Sequence, residues 1–304
     1  MPEGILCIDK PEGFTSFDVV AKARGITRCR KIGHGGTLDP MATGVLPLFL
    51  GRAVKATALI SDQDKQYRAT VRFGLSTDSQ DSTGTVLTRT DRPITRQQLE
   101  AALETQRGTI RQLPPMHSAV WVDGQRLYKL ARQGKEVDRP LREVTVHSLE
   151  LLDFDEETQQ AVLDVSCSKG TFVRTICHDL GQTLGVGGIL TALRRTRSLG
   201  YGLDCCVTLD QLQAACQAGE LDRLLQPVDS VFAQYPRIFL SPRQQEMFLN
   251  GVKLDTNRIR HPDTQEPLRV YGDGRFLGLA RIDKEAGELV IVKLFVTLDQ
   301  GGTA

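Results

Sequence analysis

The chain has 304 residues, 40% hydrophobic and 25% charged, with a formal net charge of +1. That is the composition of a globular protein with room for one large domain and one small one. No apolar run reaches the roughly 20 residues of a membrane-spanning helix, the start lacks the basic-then-apolar pattern of a secretory leader, and the strong basic excess of many nucleic-acid-binding domains is missing; a cytoplasmic location is expected.

The first strand signal is Gly4 to Asp9, ended by Lys10-Pro11-Glu12-Gly13. Thr15 or Ser16 can cap a helix carrying Val19, Val20 and Ala23. Lys31 to Gly51 reads KIGHGGTLDPMATGVLPLFLG. Its glycines allow positive φ and close approach of another molecule, and Pro40 biases Asp39 away from the helix interior. The spacing predicts a pinned loop followed by a buried strand. On local features alone Asp39 is equally well a turn residue. Ala53 to Ile60 reads as helix. Lys65 to Phe73 alternates as a strand, with Tyr67, Ala69, Val71 and Phe73 on one face. Asp78, Asp81 and Gly84 fall in a polar turn before a strand at Thr85 to Leu87, where both carboxylates are expected to be solvated.

Thr95 can cap a helix with Leu99, Ala102 and Leu103, and Leu113-Pro114-Pro115-Met116 follows as a break. A strand is expected over Ser118 to Val122, a turn at Asp123-Gly124 and a helix over Arg126 to Arg132. Two long strands, Val144 to Phe154 and Ala161 to Ser168, flank an acidic turn. Phe172, Ile176, Leu180 and Leu184 have helical spacing, and Ile189 to Leu199 reads as strand. Thr208 to Leu225 is a helical connection and Pro227 to Pro236 a boundary. Strand signals then recur at Leu268 to Tyr271, Phe276 to Ile282 and Leu289 to Val296, with a hairpin signal at Asp273-Gly274.

The expectation is an α+β fold: a mixed, mainly antiparallel sheet with inserted helices over 1–230, and a small β-rich domain over 236–304. Seven irregularly spaced cysteines without Cys-x-x-Cys, and five histidines without a His/Cys cluster, point to reduced packing thiols and no zinc site. Basic runs at Arg24 to Lys31, Arg126 to Arg142 and Arg194 to Arg197 are either solvated faces or phosphate contacts.

Three blocks occur in order: Gly33-His34-Gly35-Gly36-Thr37-Leu38-Asp39-Pro40 continuing to Pro47, Asp64-Lys65-Gln66-Tyr67-Arg68, and Cys167-Ser168-Lys169-Gly170-Thr171-Phe172-Val173-Arg174-Thr175. With Lys10-Pro11 and Leu193-Arg194-Arg195 they resemble the bacterial TruB-type tRNA pseudouridine synthases, from about Gly4 to Leu199. The tail after Pro236 is similar to the small PUA domain of that family. The resemblance implies isomerisation of uridine 55 in the T-loop of tRNA, with no metal or other cofactor; a monomer is expected. It implies Asp39 as nucleophile, whether on C1′, on C6 or by a glycal route, and Arg174 as its ion-pair partner. Tyr67 would stack on the flipped base, with Phe172 where many relatives have tyrosine. Leu193 would line the pocket, His34 would fill the space the base vacates, and Lys10 would be structural or touch a phosphate. Two other readings compete: a non-catalytic tRNA-binding or tRNA-folding protein on the same fold, and a glycosidase pairing Asp39 with Asp78 or Asp81.

Overall fold

The computed structural model describes residues 2–60, 64–118, 120–122 and 124–296. Strand β1 (Gly4–Lys10) precedes helix α1 (Ser16–Thr27), the short β2 (Ile32–His34) and β3 (Thr43–Leu50). β4 (Lys65–Phe73), β5 (Leu75–Thr77) and β6 (Val86–Arg89) lead to α2 (Arg96–Leu103) and β7 (Gly108–Gln112). A small hairpin, β8 (Trp121–Val122) with β9 (Gln125–Arg126), and α3 (Leu127–Ala131) follow. Next come β10 (Arg142–Asp155), β11 (Gln160–Cys167), α4 (Val173–Leu184), β12 (Gly188–Ser198), β13 (Tyr201–Gly202) and α5 (Leu209–Gln217). The tail carries β14 (Arg237–Leu240), α6 (Pro242–Leu249), β15 (Leu254–Asp255), β16 (Leu268–Gly272), β17 (Arg275–Asp283) and β18 (Glu288–Leu294).

Among the described residues, the main sheet runs β1-β3-β12-β4-β11-β10-β7, with β13 on β12 and β2 on β3. Its pairs are antiparallel except β3 with β12. Apolar alternation explains the layers. On β4, Tyr67, Ala69, Val71 and Phe73 are buried while Arg68 and Arg72 are exposed. That buried row packs with Leu163 and Val165 of β11 under α2 and α4, through Leu99, Leu103, Ile176 and Leu180. β1 and β3 are covered on both faces. Leu6, Ile8, Leu46 and Leu48 face α1 and α5, whereas Ile5, Cys7, Val45 and Phe49 face a second cluster with Phe232 and Phe295. Burial on both faces is why β3 reads as a nearly unbroken apolar run.

The tail forms a five-stranded sheet, β14-β16-β17-β18-β15, with its own core around Phe248, Leu268 and Val270. It is not a loose appendage. Phe276 and Phe295 pack on Phe232 with ring centroids 6.4 and 5.9 Å away. Leu279 joins the same cluster, and the Lys55 ammonium donates to the Leu294 carbonyl at 3.0 Å.

Several helices begin where capping residues stand. Thr15 with Asp18, Thr95 with Gln98, and Thr208 with Gln211 each form a reciprocal capping box. The helix expected over Ala53 to Ile60 is a 3-10 helix over Gly51–Ala58. Two local expectations differ from the structure. The helical connection after Thr208 splits into α5 and a 3-10 turn at Leu221–Leu224, separated by Gly219 at φ 74°. The strand expected from Ser118 shrinks to Trp121–Val122, off the main sheet and with Trp121 exposed; Ala119 and Asp123 lie outside the described residues.

The parallel junction of the main sheet depends on Gly44, which has φ 99° and would place a Cβ 2.2 Å from the Arg195 carbonyl oxygen. Gly13 also has positive φ, 80°, but nothing within 4 Å. Gly13→Ala is expected to cost about 1 kcal/mol for left-handed backbone alone, and Gly44→Ala more than about 2 kcal/mol. Equal urea midpoints for the two variants would refute the close-approach account.

Candidate active site

The segment after β2 turns through Gly35 and Gly36 and places Asp39 opposite the start of α4. Two residues into that helix, Arg174 is 5% exposed and donates through Nη2 to Asp39 Oδ2 at 2.7 Å. Its Nη1 reaches Asp81 Oδ2 at 3.4 Å. Asp81 is 4% exposed, so the solvated turn carboxylate expected there is instead a buried partner of Arg174. Its other oxygen, Oδ1, accepts from the hydroxyls of Ser79 and Thr83, each at 2.6 Å, and from the Thr83 backbone N–H at 3.0 Å. Those donors make an ionised buried carboxylate tolerable. Asp78 remains an exposed turn residue, accepting from the Thr85 N–H at 2.8 Å.

The turn that carries Asp81 is itself pinned. Leu190 of β12 exchanges backbone hydrogen bonds with Gln80 and Ser82, at 3.1 and 2.9 Å. The Thr175 hydroxyl of α4 donates to Gln80 Oε1 at 2.8 Å. One guanidinium is thus held between two carboxylates from separate loops. Burial raises the Asp39 carboxyl above the usual aspartate range, Arg174 opposes the rise and the Asp81 charge adds to it. Asp39 is therefore a desolvated carboxylate with a single strong donor and a half-exposed face.

That face opens into a cavity of about 320 Å³. Its walls include Tyr67, Phe172, Leu193, Leu190 and Lys65, with Lys169 exposed at the rim. An apolar pocket with a few convergent polar groups is the usual form of a small-molecule or nucleoside site. Tyr67 is 7% exposed, with its hydroxyl within hydrogen-bonding reach of the Arg195 guanidinium. Burial raises the Tyr67 phenol and Arg195 opposes it, so the hydroxyl stays protonated at neutral pH. Asp81 does not line this cavity. It lies behind Arg174 and cannot act as the second acid of a glycosidase across a bound sugar.

Residues 24–173 match the TruB family pseudouridylate synthase N-terminal domain, and 174–233 match the tRNA pseudouridylate synthase B C-terminal domain. The chain belongs to the TruB family. Proteins named tRNA pseudouridine synthase B are similar to it along nearly its whole length. The one from Azoarcus sp. (strain BH72) is 42% identical, covering 97% of this chain and 95% of its own. That of Aromatoleum aromaticum (strain DSM 19018 / LMG 30748 / EbN1) is 44% identical, covering 92% and 89%. Among solved structures, a chain of a Cbf5-Nop10-Gar1 complex superposes with a TM-score of 0.73 at 23% identity, covering 97% of this chain and 85% of that one, a likeness of fold.

Of the residues singled out from the TruB resemblance, Asp39, Tyr67, Phe172, Leu193 and Arg174 all line one cavity. His34 does not line it; it ends β2 immediately before Gly35 and Gly36, which do. The His34 ring is half-buried, its Nδ1 accepts the Gly36 N–H at 3.4 Å, and burial lowers its pKa, which keeps it neutral. Lys10 is fully buried. Its ammonium donates to the carbonyls of Pro11, Pro40 and Ala42 at 2.9, 3.2 and 2.5 Å, so two of its three donors hold the Asp39 loop, the third holds its own chain, and none is left for a phosphate. Burial lowers its pKa to about 8 against the pull of Asp39.

The third basic run also differs from a row of phosphate contacts. Arg194 pairs with Asp9 at 2.7 Å, and Arg195 is fully buried, donating to the carbonyls of Val45, Thr37 and Gly36 at 2.7, 3.3 and 3.2 Å. Arg197 alone of the three is exposed. Sequence reading thus missed the structural work of Asp81 and Arg195.

Asp81→Asn removes the charge that braces Arg174 and keeps the side-chain shape. Turnover of uridine to pseudouridine is expected to fall about 10- to 100-fold through lost positioning, with the thermal midpoint lowered by a few degrees at most. Unchanged kcat would show that Arg174 needs no second carboxylate.

Proposed function

We propose that this protein converts the uridine at position 55 of the tRNA T-loop to pseudouridine, with Asp39 as the nucleophile on a flipped-out nucleotide. The observation that carries the reading is the Asp39 carboxylate, held by Arg174 at 2.7 Å, on the wall of a cavity shared with Tyr67, Phe172 and Leu193. The likeness to proteins named tRNA pseudouridine synthase B supports tRNA as the substrate.

The chemistry asks for little beyond these groups. The N1–C1′ bond breaks, uracil turns in place, C5 bonds to C1′, the C5 proton leaves and N1 gains one. Asp39 attacks either C1′ or C6, or draws off the C2′ proton on a glycal route. Arg174 keeps the carboxylate ionised and aimed. Tyr67 supplies a flat face for the base, and burial keeps its hydroxyl protonated. Phe172 lines the same cavity without a hydroxyl to contribute. His34, neutral and planar beside the glycines, suits the gap left by the extruded base, offsetting part of the few kcal/mol that unstacking costs. Lys10 and Arg195 act from behind, by fastening the loop backbone. The protein is proposed to work in the cytoplasm as a monomer, with 1–230 as the catalytic domain and 236–304 as a PUA-like RNA-binding domain.

Asp39→Asn is expected to cut product formation more than about 10³-fold while tRNA affinity stays within about threefold, since phosphate contacts dominate affinity. Tritium release from C5-labelled tRNA measures the first and filter binding the second; near-normal release would sink the assignment. The reactive form is the ionised one and its pKa is raised, so the acid limb of kcat should lie above pH 3.8, the unperturbed value. Asp81 contributes to that rise, so Asp81→Asn should move the limb to lower pH.

A further inference from the structure

The start of α4 has no cap of its own. Phe172 stands at the N-cap position with no side-chain hydrogen bond to the helix. Its backbone is instead gripped from another part of the sheet. Gln112, the last residue of β7, accepts the Phe172 N–H through Oε1 at 2.9 Å and donates through Nε2 to the Phe172 carbonyl at 3.2 Å. Gln112 is 1% exposed. The same carbonyl accepts the N–H groups of Thr175 and Ile176 at 3.0 and 3.2 Å, so the clamp grips the atom on which the first turn hangs.

We propose that Gln112 is a positioning residue for the reaction: its amide fixes both backbone groups of Phe172 and thereby sets the angle at which α4 presents Arg174 to Asp39 and the Phe172 ring to the cavity. This rests on Asp39 being the reacting carboxylate. Only a primary amide of this length offers an acceptor and a donor side by side. Leucine has a similar shape and offers neither, leaving a buried N–H unmet. Glutamate keeps the acceptor and sets a second oxygen against the carbonyl. Neither change touches the cavity wall, since Gln112 is not among its lining residues.

The test is a double-mutant cycle on the full-length protein with tRNA. Gln112→Leu is expected to lower kcat about 10- to 100-fold, the effect of a small misplacement, with KM within about threefold of wild type. Placed on Arg174→Lys, the same change should cost less than about threefold, because the group it positions has already been replaced. A wild-type kcat for Gln112→Leu, or full multiplicative loss in the double variant, overturns the proposal. Gln112→Glu keeps both donor and acceptor while its carboxyl is protonated and loses the donor once it ionises; its kcat should therefore fall from near wild type toward the leucine value as pH rises, and it carries the same cycle if leucine unfolds the domain. Asp39→Asn assayed alongside separates the two ideas. If it stays active, the nucleophile assignment fails; if it is dead while Gln112→Leu turns over normally, only the positioning role fails.

Discussion

One guanidinium between two carboxylates organises the centre of this protein. Arg174 is almost wholly removed from water, and a buried cation without partners would be costly. Asp39 and Asp81 supply the partners from different loops, and the three groups together carry one net negative charge. Without Arg174 the two carboxylates would repel each other and Asp39 would lose its strongest counter to desolvation. The network is thus poor evidence for stability as such, since buried ion pairs often do little better than apolar residues. What it fixes is the direction and ionisation of one oxygen-bearing group.

The sheet explains how three distant segments meet there. Asp39 lies between β2 and β3, Asp81 between β5 and β6, and Arg174 at the start of α4. β12 lies between β3 and β4 in the sheet, parallel to the first and antiparallel to the second. Its Leu190 holds the Asp81 turn, and its Arg195 fastens the carbonyls of Gly36 and Thr37 ahead of Asp39. Lys10 completes the hold from β1. The loop that bears Asp39 is therefore tied down by buried cations on its carbonyls, a way of making a glycine-rich segment rigid without filling it with side chains.

The strands and helices of the main domain were largely legible because they follow period-2 and period-3.6 burial: β4, β10, β11 and α4 fall near where their apolar spacing places them. Threonine capping boxes marked the helix starts for the same local reason. Asp39, Tyr67 and Arg174 could be picked out only through their motif blocks, since each has an ordinary structural reading in isolation. Asp81 was misjudged because Thr-Asp-Ser-Gln-Asp-Ser-Thr-Gly has the composition of a solvated turn, and only tertiary contact with β12 and α4 removes it from water. Arg195 was misjudged for a related reason: a run of arginines looks like a basic surface, but strand alternation turns its middle member inward. Lys10 shows the same limit, as nothing local announces that three carbonyls will gather around its ammonium.

The aromatic joint between the two sheets has a metrical consequence. Phe232, Phe276 and Phe295 interlock across it, and a lysine from the 3-10 segment is bonded to the last strand of the small sheet. Separating the parts would uncover those rings to water, at an expense in free energy that thermal motion seldom meets. In this structure the small sheet and the cavity are thus held at one separation. An RNA that touched both would have to fit that span, so molecular length would be read together with local shape.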